Sequence, residues 1–241
     1  MARYTRVFLD ADDTVFDFGA SEHFSLHQVM AAFSLPFPEE AERYYLAVNA
    51  ALWKQYEQGG ISQDALCVKR FEMLLTYLQR DTAPAAKLNA AYAEALSCSS
   101  VLLPGALDFC RRAAVCFPLY LLTNGVAFIQ QRRVALSPIR PYLSGVFVSQ
   151  QVGWQKPQKE FFGAVFRTLG MTEADKRQAV MIGDSLHSDI LGGRNAGLDT
   201  VWLNMRGASA DESIRPTYTA HSFEELTELL GCGQPFSETG A

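Results

Sequence analysis

No run of apolar residues in this sequence approaches the length a membrane helix needs, so a spanning helix is not expected. Positive charge is not in excess either: 21 Lys and Arg stand against 26 Asp and Glu, a formal net charge of −5. With no basic run, a polymeric nucleic acid is excluded as an expected partner, while a single nucleotide is admitted. The five cysteines, Cys67, Cys98, Cys110, Cys116 and Cys232, are odd in number, scattered and without CxxC spacing. That pattern fits reduced thiols rather than disulfides or zinc ligation. The histidines, His23, His27, His187 and His221, show no ligand spacing with a Cys or Glu partner and are read as ordinary, His187 lying closest to the motifs described below. Repeats and low-complexity tracts are missing as well. MARYTR leads into the first apolar run without an apolar leader, so a cytoplasmic location is expected.

Against these absences, 241 residues with 49% hydrophobic and 12% aromatic content are ample for one large core or a core with a smaller second unit. Short apolar runs end in a fixed order of polar residues: Asp10 and Asp12 in VFLDADDT, Thr123 in LYLLTNG, Lys156 in GWQKP, and Asp184 and Asp189 in VMIGDSLHSD. If the runs are parallel strands, these residues stand at the strand C-termini, where open α/β sheets bind ligands. Asp10 and Asp12, two apart, reach one side of the chain. Thr123-Asn124-Gly125 offers a hydroxyl, an amide and a turn whose backbone N–H groups are expected to meet an anion. Clustered carboxylates repel one another unless a cation neutralises them, and hard oxygen ligands suit Mg²⁺. Lys156 supplies a fixed compensating charge. Singly, each piece is commonplace: DADDT could be an acidic turn, TNG an ordinary turn, Lys156 a surface lysine, Asp184 and Asp189 helix caps. Their combination in this order carries the weight.

The combination resembles the haloacid dehalogenase-like (HAD) superfamily of phosphohydrolases, and DADDT, LLTNG, SQQVGWQKP and GDSLHSDILGGRNAGL look most like its pyrimidine 5′-nucleotidase branch. The resemblance runs from Val7 to about Leu230. It implies that Asp10 is a nucleophile forming an aspartyl-phosphate and that Asp12 is the acid and base. It also implies Mg²⁺, with Mn²⁺ as an alternative ion, on Asp10, Asp12 through its carbonyl, and Asp184. Asp189 would orient the metal's water or Lys156, and Thr123, the Asn124 N–H and Lys156 would bind phosphoryl oxygens. Asp13 stands where the family usually has glycine; it adds negative charge, with no role assigned. The implied reaction is hydrolysis of a small-molecule phosphate monoester, a nucleoside 5′-monophosphate such as dUMP, UMP or dTMP. A phosphosugar phosphatase or phosphomutase would share the same core. A phospho-Asp receiver module would carry its acidic residues before the phosphorylated Asp and no helical insertion.

The expected architecture is a doubly wound parallel sheet, residues 1–16 and 101–241, with an all-helical insertion at 17–100. In the insertion, helical periodicity covers Ser21 to Phe33, Glu39 to Gln58, Ser62 to Arg80 and Pro84 to Cys98, divided by LPFP, GG and DTAP breakers. From residue 104 strands and helices alternate, with strands at 119–122, 145–149, 179–182 and 200–203, helices including 128–136 and 189–196, an edge strand at 217–219 and a frayed tail, GCGQPFSETGA. The insertion resembles the helical cap that selects the leaving group in this branch. Phe16, Phe18, Tyr44, Tyr45, Trp53 and Tyr56 form either a stacking face for a base or the insertion's own packing, and spacing allows both. Asn49, one turn before Trp53, either reaches a base edge or faces solvent.

Overall fold

The computed structural model describes residues 4–232, so all of the expected tail except Gly231 and Cys232 lies outside the described residues. The strands are β1 (Arg6–Leu9), β2 (Leu119–Thr123), β3 (Leu143–Val148), β4 (Ala179–Gly183), β5 (Asp199–Leu203) and β6 (Tyr218–Ala220). In chain order the helices are α1 (Phe18–Ala32), α2 (Glu39–Glu57), α3 (Gln63–Tyr77), α4 (Ala85–Ser97), α5 (Ala106–Cys116), α6 (Ala127–Leu136), α7 (Ser149–Val152), α8 (Lys159–Thr168), α9 (Glu173–Lys176), α10 (Gly192–Asn195) and α11 (Phe223–Leu230).

Two compact units result, one from the described parts of Met1–Asp17, Leu102–Asn124 and Ser137–Ala241, the other from Phe18–Val101 and Gly125–Leu136. The first holds a six-stranded, all-parallel sheet in the order β3-β2-β1-β4-β5-β6. Its two central strands are largely apolar: Val7, Phe8 and Leu9 of β1 and every residue of β4 are buried, as a sheet covered on both faces requires. One face packs Phe8, Leu122 and Met181 against Phe161, Phe162 and Val165 of α8. Strand order reverses between β1 and β4, the place where doubly wound sheets open a crevice at their C-terminal edge. The Asp10 N–H donates to the Ile182 carbonyl at 2.9 Å, carrying the ladder one residue past β1 and fixing where that aspartate emerges.

The run expected as one helix over 189–196 is instead a π-helical turn, Leu186–Leu191, followed by α10. Close packing accompanies it: a β-carbon on Gly192 would come within 2.8 Å of Phe162, and one on Gly193 within 2.9 Å of Thr200. Only a chain without side chains there can lie this near α8 on one side and the sheet on the other, and Asp189 sits on the turn just before it.

In the helical unit, Leu26 and Met30 of α1, Tyr45 of α2, Phe71 and Leu74 of α3, and Leu88 and Tyr92 of α4 share one core. Each comes from the buried face of its helix, which in α1, α2 and α3 also carries Glu22, Asn49 and Arg70. The insertion read from sequence as 17–100 also gathers α6, because α6 sends Ile129 into this core and buries Arg133, whose Nε donates to the Ser99 carbonyl at 2.9 Å.

Candidate active site

Asp10, Lys156, Asp184 and Asp189 come together beyond the ends of β1 and β4, and Thr123 is the last residue of the neighbouring β2. Lys156 is the hub. Its side chain is 1% exposed, and its ammonium donates to Asp10 Oδ1 (2.5 Å), Asp189 Oδ1 (2.7 Å) and the Leu122 carbonyl (2.8 Å). Three donors meet three protein oxygens, so the ammonium is fully coordinated. Its backbone is braced in turn: the Asn124 side chain donates to the Lys156 carbonyl and accepts from the Lys156 N–H, both at 2.8 Å. An asparagine side chain here does the work of a neighbouring strand, holding the loop that carries the lysine.

Asp189 is fully buried, and its second carboxylate oxygen accepts from the Ser185 N–H at 3.1 Å. Gly183 makes room for it, since a β-carbon there would stand 2.2 Å from Asp189 Oδ2. Asp184 is held through its backbone: Trp202 Nε1 donates to its carbonyl at 2.8 Å, and its N–H donates to Thr14 Oγ1 at 3.1 Å. Thr14 Oγ1 also lies 3.3 Å from Asp184 Oδ1 and 3.5 Å from Asp10 Oδ2, joining the loops after β1 and β4. Thr123 is buried at the end of β2.

Asp13 takes φ 57°, the left-handed region that favours glycine and tolerates aspartate. Arg206 pairs with the Asp13 carboxylate through two hydrogen bonds, of 2.6 and 3.3 Å. Thr14, Trp202 and Arg206 were absent from the site residues read from sequence. Thr14 was visible within DADDT; Trp202 and Arg206 lie far along the chain and carry no local signal.

Carboxylate oxygens of Asp10, Asp184 and Asp189 lie within 4.8 Å of one another. Three carboxylates against the single ammonium of Lys156 leave two negative charges, which one divalent cation would cancel. Burial, with Asp189 and Asp184 adding repulsion that Lys156 only partly offsets, holds the Asp10 carboxyl well above the usual carboxylate range. Burial, then Asp189 and Asp13, push Asp184 up to about 7. Burial would lower the Lys156 ammonium, but Asp10 and Asp189 outweigh it, so it is held charged. An all-oxygen, over-acidic cluster of this kind fits a hard cation such as Mg²⁺.

The side chains read as candidates for base recognition sit differently. Phe16 is fully buried, its backbone bridging Asp12 and Leu102, and offers no stacking face in this structure. Trp53 packs edge-on to Tyr56 among Val48, Leu52 and Leu66. Asn49 is buried rather than solvent-facing, and its amide is engaged: Nδ2 donates to Glu22 Oε1 (2.8 Å) and Oδ1 accepts from Arg70 (3.1 Å). It joins two buried, opposite charges on α1 and α3. Arg70 also donates to Asn89 and stacks 4.7 Å from the Tyr92 ring centre.

A family model described as "HAD-hyrolase-like" matches residues 153–226. The HAD-hydrolase YfnB of Bacillus subtilis is 35% identical over 95% of this chain and 97% of its own length. The pyrimidine 5′-nucleotidases YjjG of Escherichia coli and PynA of Streptococcus pneumoniae are 35% and 33% identical over 93% and 94% of this chain, and 96% and 95% of theirs. The crystal structure of YfnB, described as bound to magnesium with interdomain movement, matches with a TM-score of 0.89 over 95% of this chain and 99% of that one. Alignment across almost the entire length, together with the strand-end cluster, means that the chain belongs to the haloacid dehalogenase-like hydrolases, as an enzyme of their phosphatase kind.

Proposed function

We propose that this enzyme is a Mg²⁺-dependent phosphomonoesterase acting on pyrimidine nucleoside 5′-monophosphates through an aspartyl-phosphate on Asp10. The observation that carries the reading is the pairing of Lys156 with both Asp10 and Asp189 inside a cluster of three carboxylates. A buried lysine aims one carboxylate at the crevice while the cluster retains excess negative charge for a cation to neutralise. The substrate class is supported by the names of two relatives at 33–35% identity.

In the proposed reaction an Asp10 carboxylate oxygen forms a bond to phosphorus as the ester P–O bond breaks, and Asp12 gives its proton to the departing alkoxide. Asp12 then takes a proton from water, whose oxygen attacks phosphorus, releasing phosphate and restoring Asp10. Mg²⁺ on Asp10, Asp184 and the Asp12 carbonyl, or Mn²⁺ in its place, would offset repulsion between the anionic nucleophile and the phosphate dianion. Thr123 and the Asn124 N–H meet phosphoryl oxygens, and Lys156 fixes Asp10 and supplies positive charge beside them.

Phosphate release measured across nucleoside monophosphates and hexose phosphates tests the reading. UMP, dUMP or dTMP is expected to exceed hexose phosphates in kcat/KM, and a flat profile would favour a broad phosphosugar phosphatase. Asp10→Asn should abolish turnover. Asp12→Asn should slow both half-reactions while retaining the cation.

A further inference from the structure

We propose that His23, His27 and Glu42 form a second metal site, for one transition-metal dication of the Zn²⁺ type, that clamps α1 to α2 within the helical unit. His23 and His27 are one turn apart on α1, which places both imidazoles on the same helix face. Their ring centres are 4.3 Å apart. Glu42, in the first turn of α2, meets both rings: Oε1 lies 2.5 Å from His23 Nδ1 and Oε2 lies 3.1 Å from His27 Nε2. One ligand atom from each of the three falls within 4.8 Å of the others.

Zn²⁺ bonds of about 2.0–2.2 Å put tetrahedral ligands roughly 3.3 Å apart. The two observed nitrogen–oxygen separations, 2.5 and 3.1 Å, are shorter than that value, so a metal enters as two solvent-accessible rings swing slightly away from the carboxylate. The rings have neighbours that limit larger movement, Phe24 edge-on to His23 at 5.8 Å and Phe37 edge-on to His27 at 5.1 Å. Arg43, next to the carboxylate ligand in sequence, pairs with Glu39 and Glu40. Two imidazoles and one carboxylate leave a fourth position for water and suit Zn²⁺, Co²⁺, Ni²⁺ or Cu²⁺. The carboxylate cluster of the active site is all oxygen and suits Mg²⁺, so the two sites differ in donor chemistry. The i, i+4 histidine pair is visible in the sequence, and the proposal departs from the expectation that these histidines are ordinary. The carboxylate is on another helix, which is why no linear ligand motif announces it.

The test is titration of the full-length protein with Zn²⁺, and separately with Co²⁺ for its visible spectrum, in excess Mg²⁺ so that the all-oxygen cluster is filled. One Zn²⁺ per chain is expected, with the absorption of nitrogen-ligated Co²⁺. His23→Ala, His27→Ala and Glu42→Gln should each weaken binding by at least about tenfold. Mg²⁺-supported phosphate release in Zn²⁺-free buffer should be unchanged in all three, and circular dichroism checks that each is folded. His23→Gln, which preserves a polar contact to Glu42, serves if an alanine variant is unfolded. Zn²⁺ binding that persists unchanged in these variants, or that excess Mg²⁺ removes, would overturn the proposal.

Discussion

Lys156 shows how much of this site depends on one buried side chain. Its ammonium contacts Asp10, Asp189 and a strand carbonyl, so removing it leaves two carboxylates without their partner and Asp10 without a fixed direction. Lys156→Ala should lower kcat by about 10²–10³, the scale for loss of one preorganised charge donor. Lys156→Arg should not rescue it, because a planar guanidinium cannot reproduce three converging donors in a fully buried space. A complementary test leaves every reacting group in place: Gly183→Ala puts a β-carbon where the Asp189 carboxylate lies and must displace it. A fall in kcat for that folded variant is expected from steady-state assays. Full activity would mean that the Asp189–Lys156 contact does not position the nucleophile.

Among the elements, strand ends were the legible part. VFL, LYLL and AVMI are short apolar runs that stop at Asp10, Thr123 and Gly183; β1 ends with its run, and β2 and β4 end one residue after theirs. That is a local property, so sequence carries it. Contacts between elements were not legible. Asn49 gave no sign that its amide bridges Glu22 on α1 and Arg70 on α3, because both partners lie more than 20 residues away. The π-helical turn before α10 and the membership of α6 in the helical unit likewise arise from packing rather than periodicity. The bridge predicts a stability effect: Asn49→Ala leaves two buried charges each short of a hydrogen bond and should cost about 3 kcal/mol in denaturant unfolding. A loss below about 1 kcal/mol would show that the bridge is not structural.

At the scale of the whole molecule, the carboxylate cluster ties stability to pH and to the cation. Asp10 and Asp184 have pKa values raised above those of the unfolded chain, so the native state holds protons that the unfolded state has released. Stability of the metal-free protein from these groups is therefore full below the ordinary carboxylate range and lost as pH rises through about 7 for Asp184. Asp175, lowered to about 2 by hydrogen bonds from Thr172 and Arg6, is ionised in both states above pH 5 and adds no opposing slope there. Metal-free Tm should fall between pH 5.5 and 8, and Mg²⁺ should raise it more at pH 8 than at 5.5. The gain at saturation is about 2.7 kcal/mol for a hundredfold excess over Kd. Asp184→Asn should raise the metal-free Tm at pH 8 and weaken the Mg²⁺ response. A metal-free Tm that rises over this range would contradict the charge distribution described.

The phosphoenzyme itself provides the decisive measurement. Protein mixed with phosphate-labelled UMP and Mg²⁺ is quenched within a turnover, digested, and its labelled peptide sequenced by mass spectrometry. Label on Asp10 is expected in the wild type, in a longer-lived form in Asp12→Asn, where hydrolysis loses its base, and not at all in Asp10→Asn, which should also be inactive. Turnover without labelled protein, or retained in Asp10→Asn, would contradict nucleophilic catalysis by this aspartate.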